Sequence, residues 1–282
     1  MINGISLSVA KAAIEKVKKL DKEPVYLITD GVAEPVAATA SLVVKGEAQR
    51  ELFMVVDVGA GTTDFGLFLI QENPQTEKCV VRVIPDSIQY VPQAGDRVDS
   101  LLKKFILESS GVDPQSSDGQ LIAASLQNQI RFYKEVLFRD GSLEYRLSNH
   151  FTGIVEKDNF LNSSLVKNFS QQIEKKFTDI LSAVGDGYLS LMRTSNLNVV
   201  LTGGGASLPM IESLARGVRE IKGIKILCKE ASRVPEWVID NYPQLGLQYP
   251  QLAVAIGGAN PTLPEMGQSF KDFGGLTLKT YA

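Results

Sequence analysis

Residues 53–70 read FMVVDVGAGTTDFGLFLI. An apolar run, Phe53-Met54-Val55-Val56, ends in an acid at Asp57. Gly59, Ala60, Gly61, Thr62 and Thr63 follow, then a second acid at Asp64 and a second apolar run over 67–70. Both runs have strand length, and the first is apolar throughout, as a strand covered on both faces would be. Glycines in so short a connection let the chain turn tightly and approach a ligand with no Cβ in the way. Successive N–H groups in such a turn can face one concavity and hold an anion. Two threonine hydroxyls add donors, and Asp57 stands where a hydrated Mg²⁺ could be held. The stretch reads as a strand–turn–strand phosphate clasp, with an ordinary glycine-turn hairpin as the plain alternative.

Two other glycine motifs do not fit. A dinucleotide fingerprint needs a third glycine and a helix after the turn, whereas a second strand follows here. A Walker loop needs Gly-Lys-Ser/Thr, which occurs nowhere in the chain.

The chain has 282 residues, room for one large domain or two small ones. Hydrophobic residues make up 44% and charged residues 22%, the balance of a globular protein with a sizeable core. The net charge is −3 with no basic block, so no nucleic-acid surface is indicated. No apolar run approaches the roughly 20 residues of a membrane span. The first 17 residues lack the charged start and continuous apolar core of a signal peptide. Cys79 and Cys228 are the two cysteines, far apart in sequence, and read as small buried hydrophobes in a reducing, cytoplasmic compartment rather than as a disulfide. His150 is the sole histidine and sits among polar residues, which excludes His-rich metal sites.

Before the clasp, residues 9–20 have helical spacing and 25–29 (VYLIT) form a short apolar strand. Residues 45–51 form a polar turn. Glu34 falls at a strand-to-helix junction, since Pro35 is tolerated in a first helical turn and the alanines after it favour helix. After the clasp, 73–77 form a loop and 78–84 a third strand, so three strands make an antiparallel meander. Residues 93–99 (QAGDRVD) start a helix that runs to 107; a second covers 121–137; LEYRL over 143–147 alternates as a strand. Residues 112–160 thus form an α+β insertion. Residues 162–192 form a long amphipathic helical stretch that Gly185 or Gly187 can interrupt. A buried strand at 197–201 leads into a second glycine loop, Thr202-Gly203-Gly204-Gly205-Ala206-Ser207. Ser207 would cap a helix containing Pro209 and running to about 218, and a strand follows over 223–228. That is a βαβ unit whose loop lies at the carboxyl end of a strand, where ligands bind. Residues 231–250 carry Pro235, Pro243, Pro250 and Trp237 and read as an irregular insertion. Residues 251–259 form a small-residue helix able to pack close to another element.

VVDVGAGTTDFGL (55–67) resembles the second phosphate motif of the actin, DnaK-type heat-shock chaperone and sugar-kinase ATPase superfamily. VVLTGGGASLPMI (199–211) resembles its adenosine motif, and AEPVAATA (33–40) the connecting helix of the chaperones and the bacterial actin-like rod-shape proteins. AGDRVD (94–99) and the helix holding Lys134 also fall where the chaperone branch has equivalents. The resemblance implies an α/β, ribonuclease-H-like lobe of the actin-like ATPase fold: a mixed five-stranded sheet flanked by helices, with an α+β insertion. It divides the chain into a remnant of the first lobe with the connecting helix (1–50), a second lobe (51–260) with its inserted subdomain at about 112–160, and a tail (261–282). The chain then resembles the C-terminal half of a longer ATPase.

By this resemblance ATP or ADP with Mg²⁺ would bind. Asp57 would hold the metal through water. Gly59, Ala60, Gly61, Thr62 and Thr63 would cradle the phosphates, with Thr62 nearest the reaction and Gly95 nearby. Glu34 would orient or deprotonate the attacking water. Lys134, Gly203, Gly204, Gly205 and Ser207 would flank the adenosine. The sequence departs from the chaperone pattern at Arg131, Glu135 and Phe138, which would otherwise be an acid, a basic residue and a serine. Hydrolysis by this chain alone is expected to be weak. A protein client or partner is expected, with no nucleic acid and no membrane span. A nucleotide-independent interaction module on the same fold, or an actin-like filament or segregation protein, are the alternatives.

Overall fold

A computed structural model describes residues 7–17, 19, 34–39, 50–73, 78–231, 234–259 and 265–266. The expected strand at 25–29, most of the turn at 45–51, most of the loop at 73–77 and most of the tail lie outside these residues. The chain separates into two compact units, 1–33 and 34–282. In the first, α1 (Leu7–Val17) is an amphipathic helix.

The second unit is built on a mixed sheet. In the first part of its chain are α2 (Glu34–Thr39), β1 (Arg50–Val58), β2 (Thr63–Asn73), β3 (Lys78–Val83), β4 (Gln89–Val91) and α3 (Gly95–Ser109). The insertion carries α4 (Ser117–Gln127), α5 (Ile130–Asp140), β5 (Ser142–Arg146), β6 (Thr152–Glu156) and α6 (Lys157–Asn162). Then come α7 (Ser164–Ala183), α8 (Asp186–Ser195), β7 (Leu197–Thr202), α9 (Pro209–Glu212), β8 (Gly217–Ile221), β9 (Ile224–Glu230), α10 (Glu236–Asn241), α11 (Tyr249–Gly258) and β10 (Glu265–Met266).

Among the described residues the main sheet has eight strands rather than the five expected, in the order β10-β3-β2-β1-β7-β9-β8, with β4 paired to β2. The extra strands are short edge or side strands. The meander is antiparallel, and β1–β7 and β7–β9 run parallel. β1 is covered on both faces. Leu52, Met54, Val56 and Val58 join the larger core with residues of α3, α7 and α8, while Phe53 and Val55 join a smaller one with Val36 and Ala38 of α2. Continuous apolarity in β1 is thus the signature of a sheet flanked by helices on both sides.

Three elements differ from expectation. The helix after the second glycine loop is short: Leu208, not Ser207, takes the position before α9, with no side-chain cap, and a 3₁₀ turn at Ser213–Ala215 follows. Gly217 at φ +87° ends it, and Val218 enters β8, which pairs antiparallel with β9. The stretch 121–137 is two helices, because Asn128 and Gln129 close α4 with bonds to Ser125 and Leu126 three residues back. Residues 231–250 are largely helical. Pro235 precedes α10, Pro243 opens a 3₁₀ helix (Pro243–Gln248) and Pro250 lies in the first turn of α11, the positions where a missing N–H costs nothing.

The small residues of α11 act as the sequence suggests. A Cβ on Gly257 would stand 1.8 Å from the Ala37 carbonyl oxygen, so α11 and α2 pack at backbone distance. His150 is exposed, and Cys228 is a buried free thiol whose burial pushes its pKa up. Among the described residues no helix is long and apolar enough to cross a membrane.

Candidate functional site

The two glycine turns leave adjacent parallel strands at the same end of the sheet, with Asp57 of β1 in register with Thr202 of β7. They also touch. The Gly205 amide donates to the Val58 carbonyl (2.9 Å), and the Gly203 amide donates to the Pro250 carbonyl (2.9 Å). Gly203 has φ +86°, and a Cβ there would fall 2.5 Å from both the Asp57 carboxylate and the Val58 carbonyl. A Cβ on Gly205 would fall 2.4 Å from Val58 Cγ1. These two glycines are therefore required by close approach of protein to protein, before any ligand is considered.

The clasp is a four-residue turn over 59–62, closed by the Gly59 amide donating to the Thr62 carbonyl (3.0 Å). Its carbonyls are engaged from behind: Gly59 accepts from the Gly95 amide (3.2 Å) and Ala60 from the Asp96 amide (2.8 Å). α3 has no side-chain cap, so the clasp satisfies the orphan amides of its first turn. Among the described residues the amides of Ala60 and Gly61 donate to nothing, and both residues are exposed. The two threonines divide. Thr63 is buried and its hydroxyl donates to the Gln93 carbonyl (2.8 Å); Thr62 is exposed and donates to Asp64 Oδ2 (2.8 Å). The Thr63 hydroxyl is thus a structural donor, and only its neighbour faces solvent.

A cavity of about 840 Å³ opens between the two turns. It is lined by Gly59, Ala60, Gly95, Lys134, Gly204, Gly205 and Ser207, seven of the residues singled out from sequence. Glu34 and Asp57 line a separate cavity of about 100 Å³, with Asp64, Thr202 and apolar side chains. Gly61, Thr62, Thr63 and Gly203 line neither, though Thr62 reaches the small cavity's wall through Asp64. Glu34 opens α2 and is exposed, at the helix end where an acid favours the dipole.

Burial, and then the Glu34 and Asp64 carboxylates, push the Asp57 carboxyl above its ordinary value near 3.8. Among the described residues no cation pairs with it. Nor does any group of three or more Asp, Glu, His or Cys side chains there stand close enough to hold a metal ion.

Lys134 is tied in place. Its ammonium lies 2.7 Å from Asp99 Oδ1 and donates to the Gly95 carbonyl (3.3 Å), with both partners of the ion pair largely buried. Asp99 closes the AGDRVD motif, but the sequence expectations give it no role. Its signal is an acid on the apolar face of α3, beside Val98, Leu101 and Leu102, a placement that calls for a cationic partner. Arg139, Lys157 and Glu212 also line the large cavity and were not singled out; Gln251 lines it too. Lys157 arrives from the β5–β6 hairpin, whose approach to the glycine loops no local pattern announces.

No protein-family model matches the chain, and no curated protein matches it in sequence.

Proposed function

We propose that this chain is a nucleotide-binding lobe of an actin- and heat-shock-chaperone-like ATPase, with the ribonuclease-H-like fold of that superfamily. The observation that carries this reading is the convergence of two glycine turns, from adjacent strands, on one cavity about 840 Å³ in volume. The free amides of Ala60 and Gly61 would receive the terminal phosphates, and the turn 203–207 would flank the nucleoside. Phosphoryl transfer depends mainly on such positioning and on charge neutralisation. Glu34, beside Asp57, would orient or deprotonate the attacking water, and Thr62 would stand nearest the reaction.

A half-buried carboxylate beside two others, with no cation, fits a hydrated Mg²⁺ held through water by Asp57 rather than a direct protein cage. When bound, the ion would neutralise charge on the phosphates. The clasp offers donors from one side only, so hydrolysis by this chain alone would be weak. The phosphate contacts are blind to the base; the resemblance implies ATP.

Calorimetric titration with MgADP tests this proposal. Measurable heat and a raised denaturation midpoint at millimolar nucleotide are expected; neither appearing with MgADP or with MgGDP would overturn it. The second reading is a nucleotide-independent interaction module. It is favoured by the internal use of donors a ligand would want: the Thr63 hydroxyl, the Gly95 and Asp96 amides, and the Lys134 ammonium. A partner captured equally with and without nucleotide would support it.

A further inference from the structure

The large cavity has two ends, and hydrogen bonds order them. The Gly95 amide donates to the Gly59 carbonyl (3.2 Å), and the Lys134 ammonium donates to the Gly95 carbonyl (3.3 Å), so Lys134 marks the clasp end. From Lys134, α5 continues to its left-handed cap at Gly141, about 10 Å further along the helix axis. The Lys157 amide donates to the Gly141 carbonyl (2.9 Å). The Lys157 backbone is thereby anchored about 10 Å along α5 from Lys134, and Lys157 lines the same cavity. That separation is of the order of the distance between the phosphates and the base of a nucleotide.

The cations of this wall are mostly spent. Arg131 pairs with Glu135, Lys134 with Asp99 and Arg139 with Asp140. The Lys157 ammonium has no hydrogen-bond or ion-pair partner among the described residues, and the Glu212 carboxylate, on α9 just past the glycine loop, has none either. An unpaired ammonium offers only donors and an unpaired carboxylate only acceptors.

Guanine answers both groups. Its O6 and N7 are neighbouring acceptors suited to a lysine, and its N1–H and N2–H₂ are neighbouring donors suited to a carboxylate. Adenine places an amine beside N7, so the lysine would meet one matched and one mismatched atom, and its N1 is a bare acceptor beside a C2–H, so the carboxylate would lose both donors. Among the described residues Gln251 is the one amide side chain lining the cavity, and an amide suits adenine. It follows Pro250, whose carbonyl takes the Gly203 amide, and so enters the cavity from the 203–205 turn.

We infer that the cleft takes a guanine nucleotide in preference to an adenine one, with Lys157 and Glu212 reading the base. This rests on the nucleotide reading above and narrows its base. The test is titration of the 282-residue chain with MgGDP and with MgADP, repeated for Lys157→Met and Glu212→Gln. MgGDP is expected to bind at least about tenfold more tightly than MgADP. Lys157→Met should lose about tenfold in MgGDP affinity while MgADP stays within about twofold; Glu212→Gln should act the same way. Equal affinity, or tighter MgADP, overturns the base assignment and leaves the nucleotide reading standing. Equal weakening of both nucleotides by Lys157→Met also overturns it, because a general charge effect would then suffice. Binding of neither nucleotide removes both proposals together.

Discussion

Gly203 lies directly against Asp57: a Cβ on the glycine would stand 2.5 Å from the carboxylate oxygen Oδ1. The same residue holds φ +86°, which an L side chain rarely adopts. Gly203→Ala therefore combines backbone strain with a clash against a polar group that cannot retreat into the core. We expect a loss of about 1–3 kcal/mol in urea denaturation and a fall in MgADP affinity as Asp57 is displaced. Unchanged stability would show that the turn relaxes freely.

The raised pKa of Asp57 sets a sign for pH. Its neutral form is favoured in the folded chain, so the associated stability is present below the ordinary value near 3.8 and is lost as pH rises through the raised folded value. Asp57→Asn removes the charge. The variant without ligand should be more stable than the parent at neutral pH and show a flatter profile across this window, while binding Mg-nucleotide worse. Urea midpoints measured from pH 3 to 8 check this. A variant less stable than the parent at pH 7 would refute the electrostatic account.

The two adjacent threonines should separate stability from binding. Thr63→Val leaves the Gln93 carbonyl without its donor and should cost about 1–3 kcal/mol. Thr62→Val touches an exposed pair with Asp64 and should stay within about 0.5 kcal/mol, yet weaken nucleotide binding. Thermal melts paired with titration decide it; the reverse pattern would exchange the roles of the two hydroxyls.

Gly257 and Gly258 form a matched control. A Cβ at 257 meets the Ala37 carbonyl, whereas one at 258 meets nothing within 4 Å. Gly258→Ala should be neutral or stabilise by up to about 1 kcal/mol through helix propensity. Gly257→Ala should destabilise by about 1–3 kcal/mol, since backbone must move, and α2 with Glu34 would move too. Comparable midpoints for the two variants would mean that α2 and α11 are not held at backbone distance.

What was legible in the sequence was whatever a short window encodes. Continuous apolarity in 53–56 announced a strand covered on both sides, and β1 is one. The spacing of Phe169, Ile173, Phe177 and Ile180 gave the buried face of α7. The two glycine turns were visible, though their reason was not: Gly203 and Gly205 are small because Asp57 and Val58 crowd them, a relation spanning more than 140 residues of chain. Proline was misread at 235, 243 and 250. It marks helix starts there, and composition alone does not distinguish a start from a break. Ser207 was misread as a cap because the helix begins one residue further on, with Leu208 at the capping position and no side-chain cap, and its early end is set by the turn into Gly217. The lining contributed by Lys157 was beyond local patterning altogether, and that of Asp99 showed only as an acid on the apolar face of α3. Each reaches the cavity through a tertiary contact, Asp99 through Lys134 and Lys157 through Gly141.

The opening turn of α3 owes its saturation to carbonyls borrowed from the clasp, one from Gly59 and one from Ala60. Loop and helix are consequently a single mechanical part. Any anion that reorients the peptide planes of the loop also withdraws acceptors from the helix and must tilt it or leave its end frayed. Occupancy at the turn would then be transmitted along the 15 residues of α3 toward the insertion, with no hinge needed in between.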